Sequence, residues 1–234
     1  MIKDYKDYIR EQQHLDVDPF DEEDWDIDNL SPLFQIIRKK FGNKPYDEIT
    51  KLDCYNKELT SLEGIENLVN LKILFCGHNQ LNSLDGVENL VNLEKLYCYH
   101  NHLTSLEEIE NLVNLKELYC HDNQLTSLEG IENLVNLKAL YCDFNQLTTL
   151  EGLENLVNLK ELYCYYNQLT TLEGIENLVN LKILECNNNQ LTTLEGIENL
   201  VNLKELYCYD NHFSEDYVNY LKDYCKNKKI YLRI

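Results

Sequence analysis

The sequence predicts an α/β solenoid, a stack of short units that each contribute one strand, closed by helical caps at its two ends. Three observations carry this expectation. The stretch LKELYCHDNQLTSLEGIENLVN at 115–136 returns 22 residues on as LKALYCDFNQLTTLEGLENLVN and then as LKELYCYYNQLTTLEGIENLVN. Cys54, Cys76, Cys98, Cys120, Cys142, Cys164, Cys186 and Cys208 keep that spacing, with Cys225 outside the series. A single alanine (Ala139), three prolines and eight glycines in 234 residues are the composition of a duplicated segment rather than of an ordinary domain.

Taken in order, residues 1–30 form an acidic leader, DVDPFDEEDWDIDN at its end, with Phe20 and Trp25 among the acids. The expectation is a solvated, flexible segment, the alternative an acidic-aromatic docking motif. Residues 31–48 form the first cap: SPLFQIIRKKFG carries Ser31 as N-cap, Pro32 at the first helical position and Gly42 past the end. Residues 49–211 hold seven full units and one partial unit. Within a unit, Leu118 and Cys120 alternate with Glu117, Tyr119 and His121 at the period of a strand. The chain turns at Asn123 and returns over about 12 residues with Gly130 in the middle, too short for a long helix, so extended or 3₁₀ backbone is expected. Leu115, Leu125, Leu128, Ile131 and Leu134 complete an apolar set that only stacked neighbours can bury. Residues 212–234 close the stack with a helix capped by Ser214 and a final strand in KIYLRI.

The pattern L-x-x-L-x-C-x-x-N-x-L-x-x-L-x-G-I-E-N-L-x-N resembles the leucine-rich repeat, and its length with LEGIENLVNL is similar to the subclass of the protein phosphatase 1 regulatory subunit and the bacterial internalins. The resemblance implies a parallel β-sheet on the concave face, little helix on the convex side, and an asparagine ladder at Asn79, Asn101, Asn123, Asn145, Asn167, Asn189 and Asn211. The first unit departs from it, with Lys57 at the ladder position and Asn56 one place early, so its turn is expected to be distorted. The near-identical copies also resemble repeat proteins of amoeba-infecting giant viruses or other AT-rich genomes.

Charge narrows the function. Forty-one acids against 21 basic residues give −20, which disfavours phosphate-backbone binding and favours a basic or neutral protein partner, a basic segment being the better complement to the acidic flank. The N-terminus has no apolar core of signal-peptide length and no segment reaches the run of about 20 apolar residues that spans a bilayer, so a monomeric cytoplasmic protein is expected, in the host cytoplasm if viral, with no membrane or nucleic-acid partner. The cysteines read as small apolar thiols, not disulfides, and no paired zinc spacing occurs.

The two residues after each cysteine vary in every unit: Gly77-His78, Tyr99-His100, His121-Asp122, Asp143-Phe144, Tyr165-Tyr166, Asn187-Asn188 and Tyr209-Asp210. Glu66, Glu88, Glu110, Glu132, Glu154, Glu176 and Glu198 do not vary, although the core pattern does not require them, which locates diversity on a binding surface. The residue before the cysteine adds an aromatic column, interrupted at Glu185. The expected partner-binding set is Phe75, Tyr97, Tyr99, Tyr119, His121, Tyr141, Phe144, Tyr163, Tyr165, Tyr166, Tyr207 and Tyr209, because rigid amphipathic rings suit binding hot spots. The glutamates form an acidic flank, partly offset by Lys72, Lys116, Lys138, Lys160, Lys182 and Lys204. His78 and His100, with His121 and Asp122 one unit on, are the one metal-like constellation; binding-face histidines are the preferred reading, so neither metal nor cofactor is expected. No nucleophile–base pair, phosphate loop or carboxylate pair stands out, so catalytic residues are none and an enzyme is not expected. A structural or self-associating protein is the alternative, and phosphatase regulation a remote one.

Overall fold

The computed structural model describes residues 31–234. The acidic leader, with Phe20 and Trp25, lies outside the described residues.

Nine three-residue strands form one parallel sheet in sequence order: β1 Lys51–Asp53, β2 Ile73–Phe75, β3 Lys95–Tyr97, β4 Glu117–Tyr119, β5 Ala139–Tyr141, β6 Glu161–Tyr163, β7 Ile183–Glu185, β8 Glu205–Tyr207 and β9 Tyr231–Arg233. Each unit pairs with the next in strict register, Leu118 opposite Leu140 and Tyr119 opposite Tyr141. The middle leucine of β1 to β8 points inward and is fully buried, as are the eight repeated cysteines. Together with the leucines of the return segments they make one continuous apolar column, which no unit could enclose alone. All nine cysteines are free and buried. Burial pushes the Cys54 and Cys98 thiols up to about 12, and Cys98 Sγ lies 3.4 Å from the Tyr119 carbonyl, to which it donates. These are packing groups, as their spacing led us to expect.

Helix α1, Pro32–Phe41, starts where Ser31 Oγ accepts from Phe34 N at 3.3 Å and ends at Gly42, at φ 60°. Its Leu33 and Ile37 join the core beside Ile49 and Leu52, covering the open end of the first unit. Helix α2, Glu215–Lys228, is capped by Ser214 and sends Leu221 and Cys225 into the far end of the same core. The chain then turns at Lys229 in a left-handed conformation and lays β9 on β8. Among the described residues no helix is long and apolar enough to cross a membrane.

The asparagine ladder forms where the resemblance implied it. Asn123 Nδ2 donates to the carbonyls of Cys98, Cys120 and His121 at 3.2, 3.0 and 3.2 Å, while its Oδ1 accepts from Leu103 N at 3.0 Å. One buried amide thus satisfies four backbone groups across two units. In the first unit Lys57 brings no amide; its N–H donates to Asn79 Oδ1, and Glu58 takes a left-handed φ of 57° found at no equivalent position in the other units. The turn is distorted as expected.

On the return, 3₁₀ turns form at Ile65–Asn67, Val87–Asn89, Glu107–Ile109 and Ile197–Asn199, and the remaining units stay non-helical. Two features here differ from the sequence reading. Five of the seven invariant glutamates have a structural role in the turn. Glu132 Oε2 accepts from Gly130 N at 2.9 Å, and Glu66, Glu88, Glu154 and Glu176 repeat the bond to Gly64, Gly86, Gly152 and Gly174 at 2.8–3.0 Å. Each carboxylate caps the N–H left free where the turn begins. Their constancy is therefore no measure of drift at exposed sites. The expected partial lysine offset is not made through direct ion pairs: among the described residues none joins a glutamate of this column, and Lys116 pairs with Glu94 at 2.5 Å.

Candidate binding face

Three parallel rows of side chains run along the sheet side, each set by its distance from the cysteine. The first is the last residue of each strand. Phe75, Tyr97, Tyr119, Tyr141 and Tyr163 stack face to face with centroids 4.4, 4.4, 4.3 and 4.2 Å apart and planes within 14°. Strand spacing dictates this separation. Lys51 Nζ lies 5.0 Å from the Phe75 centroid and closes one end of the stack. Glu185 closes the other, and Tyr207 leans on Tyr231 at 5.6 Å. Tyr97 and Tyr141 donate from their hydroxyls to Glu117 and Glu161 at 3.2 Å. Burial pushes the Tyr119 and Tyr163 hydroxyls up, so they stay neutral. The rings are half-buried, their faces covered by each other.

The second row follows the cysteine and is more enclosed than its variability suggested. Tyr99 and His121 stack at 4.6 Å with planes 7° apart, and Gly77 leaves room for the Tyr99 ring, which a Cβ there would meet at 3.1 Å. Tyr165 is half-buried; Tyr209 sits 4.9 Å from the Arg233 guanidinium. Asp143 and Asn187 are only 3% and 2% exposed. Burial pushes the Asp143 carboxyl up to about 6, against a hydrogen bond from Tyr165 that lowers it.

The third row ranges from half-buried (His78, Asp122, Asn188) to exposed (His100, Phe144, Tyr166, Asp210) and shares one backbone conformation. His78, His100, Asp122, Phe144, Tyr166, Asn188 and Asp210 all have φ between 50° and 55°, the left-handed region. His, Asp and Asn tolerate it best, so this row varies under a torsional constraint. Phe144 and Tyr166 are the exceptions, and they stack on each other at 4.6 Å with planes 12° apart while remaining exposed. With His100, Asp122, Gln168 and Asn188 they line an open groove of about 750 Å³. Of the expected binding residues, only Phe144 and Tyr166 line this groove; Gln168 and Asn188 were missed, although Asn188 occupies the same place in the repeat. His78 and His100 pack ring to ring at 4.1 Å. His100, His121 and Asp122, but not His78, bring donor atoms within 4.8 Å of one another.

Known proteins share this architecture. A family profile described as leucine-rich repeats in two copies matches 91–133, 113–155, 135–177, 157–199 and 179–223, together more than half of the chain. The chain belongs to the leucine-rich repeat family. No curated protein sequence matches it. An internalin (inlF) from Listeria monocytogenes resembles this leucine-rich repeat chain with TM-score 0.78 and 25% identity over 87% of the chain and 64% of its own, so the chain spans less than two thirds of that internalin. Internalin C2 (inlC2) from the same organism gives TM-score 0.73 and 28% identity over 79% and 90%. The ectodomain of the plant receptor kinase GASSHO1/SCHENGEN3 from Arabidopsis thaliana, solved in complex with CASPARIAN STRIP INTEGRITY FACTOR 2, gives 0.57 and 27% over 64% and 20%. Leucine-rich repeat domains generally mediate protein–protein interaction.

Proposed function

We propose that this chain is a non-catalytic protein-binding module that holds a partner along its concave face, with the Phe144–Tyr166 pair and the edges of the tyrosine column as apolar contacts. One observation carries the reading. Phe144 and Tyr166 place bulky rings on left-handed backbone, where the six other units carry His, Asp or Asn. Such placement costs about 1 kcal/mol or more per residue in backbone strain and leaves the rings 42% and 48% exposed. Folding alone does not favour it, whereas a partner that covers the rings does. The charge of −20 suits a partner with a basic segment, met in the cytoplasm by a monomeric chain. A viral origin and host cytoplasm fit the composition. Phosphatase regulation rests on framework residues alone and is not advanced.

The test is affinity capture with the wild type and with a Phe144→Asn, Tyr166→Asn variant. Asparagine relieves the left-handed strain, so the variant is expected to fold with Tm equal to or above that of the wild type. A protein kept by the wild type and lost by the variant supports the reading; equal retention removes the groove from it. Self-association is a second reading, favoured by Val69, Val91, Val113, Val135, Val157, Val179 and Val201, all exposed at one position of the repeat away from the sheet. Light scattering that reports a monomer at all concentrations sinks it.

A further inference from the structure

We propose that His100, His121 and Asp122 form a binding site for one divalent transition-metal ion of the zinc, nickel or cobalt class at the end of the open groove. This inference stands apart from the protein-binding reading and does not depend on it.

The three donors come from two neighbouring units. His100 and Asp122 occupy the same left-handed position in successive units, and His121 directly precedes Asp122, so the register of β3 on β4 brings all three to one point. Their donor atoms lie within 4.8 Å of one another. His100 Nε2 and Asp122 Oδ2 are already 3.3 Å apart. Donors around tetrahedral zinc, at bond lengths of about 2.0–2.1 Å, stand about 3.3 Å from each other, so that pair needs no rearrangement. The donors of His121 and of that pair lie no more than 4.8 Å apart, so the remaining closure is about 1.5 Å or less and falls to a concerted shift of the solvent-accessible His100 and Asp122 side chains.

His121 supplies the second, independent observation. Its Nδ1 is buried without a hydrogen-bond partner, a state that buried polar atoms seldom occupy. Its ring is clamped against Tyr99 at 4.6 Å with planes 7° apart, which fixes its orientation before any ion arrives. Preset ligands lose little entropy on binding.

The donor set selects the ion. Two imidazoles and one carboxylate suit zinc, nickel, cobalt or copper, whereas calcium and magnesium require oxygen-rich cages. Three protein ligands leave at least one coordination position facing the groove, for water or for a donor from a bound molecule. His78 packs on His100 from the preceding unit at 4.1 Å and stands outside the donor set. The rival account is a hydrogen-bonded His100–Asp122 ion pair alone, and it predicts no metal binding.

The untagged full chain is dialysed against zinc, and bound metal is measured by mass spectrometry; cobalt substitution then reports the ligands by its visible spectrum. One zinc per chain is expected, with cobalt bands of a nitrogen and oxygen site and no sulfur-to-cobalt charge transfer. His100→Gln and His121→Phe are expected to weaken zinc binding about tenfold or more, a loss that even changes in outer-shell partners reach. His121→Phe keeps a ring against Tyr99, and His102→Gln, an exposed histidine outside the cluster, is expected to bind as the wild type. Thermal melts without metal check folding; should His121→Phe unfold, the exposed His100→Gln decides. Absence of bound zinc, sulfur charge transfer from the cysteines, or wild-type affinity in His100→Gln overturns the proposal.

Discussion

Asp143 is a carboxyl group that the fold would hold more easily without its charge. Its folded pKa of about 6 lies above the ordinary 3.8, chiefly through burial. Below the ordinary value both states are protonated and the protein loses nothing; as pH rises through the window from about 4 to about 6 the unfolded chain ionises first, so stability falls. Above about 6 the penalty is complete. Asp143→Asn is therefore expected to raise Tm at pH 7 and to flatten the Tm profile across that window. The same position holds Asn187, 2% exposed, two units on. A variant that melts as the wild type at every pH would show that the carboxylate is not penalised. None of this was legible beforehand, because the sequence marks Asp143 as variable and a variable acid reads as a surface group. The left-handed third row had a faint signal, its excess of His, Asp and Asn, but torsion leaves no trace in hydropathy.

At the scale of the repeat element, the return turn of five units depends on a glycine and a glutamate acting together. Gly130 sits at φ 102°, and a Cβ there would fall 2.3 Å from the Leu106 carbonyl oxygen. Gly130→Ala is expected to cost more than the usual left-handed penalty of about 1–2 kcal/mol, read as a lower urea midpoint. Glu132→Ala removes the cap and is expected to cost about 1 kcal/mol, a Tm fall of roughly 2–4 °C in a chain of this size. The chain contains its own variation on this element: Glu108 stands where other units have glycine, and there the 3₁₀ turn starts at Glu107, before that position rather than after it. The strands and caps were legible because two-residue alternation, cap residues and a 22-residue period are patterns of residue type, and the ladder because the repeat resembles a known family. The carboxylate caps were not, since they depend on which N–H the backbone leaves free. A second ladder was overlooked for the same reason: Asn92, Asn114, Asn136, Asn158, Asn180 and Asn202 donate to the carbonyls of Val69, Val91, Val113, Val135, Val157 and Val179 at 2.8–3.0 Å.

Over the whole molecule, a net charge of −20 is spread along a stack whose glutamate column has no ion-pair partners among the described residues. Self-repulsion of this kind is screened by salt, so Tm is expected to rise from low to physiological ionic strength. A melting point that ignores salt would show the repulsion to be locally relieved. The register of the sheet has a different consequence. Each internal unit bonds forward and backward through the same atoms, Cys to the carbonyl before the next cysteine and each ladder asparagine to the cysteine of the unit before. An interior unit is thus interchangeable as a building brick. Excising residues 157–178 in frame would join surfaces that already match, leaving the two end caps unchanged and a sheet one strand shorter. Such a chain would change what lies next to what along the groove without a single new kind of bond: Phe144 would lose Tyr166 and face Asn188. Copy number, rather than point substitution, is the least disruptive way for this architecture to redraw its contact surface.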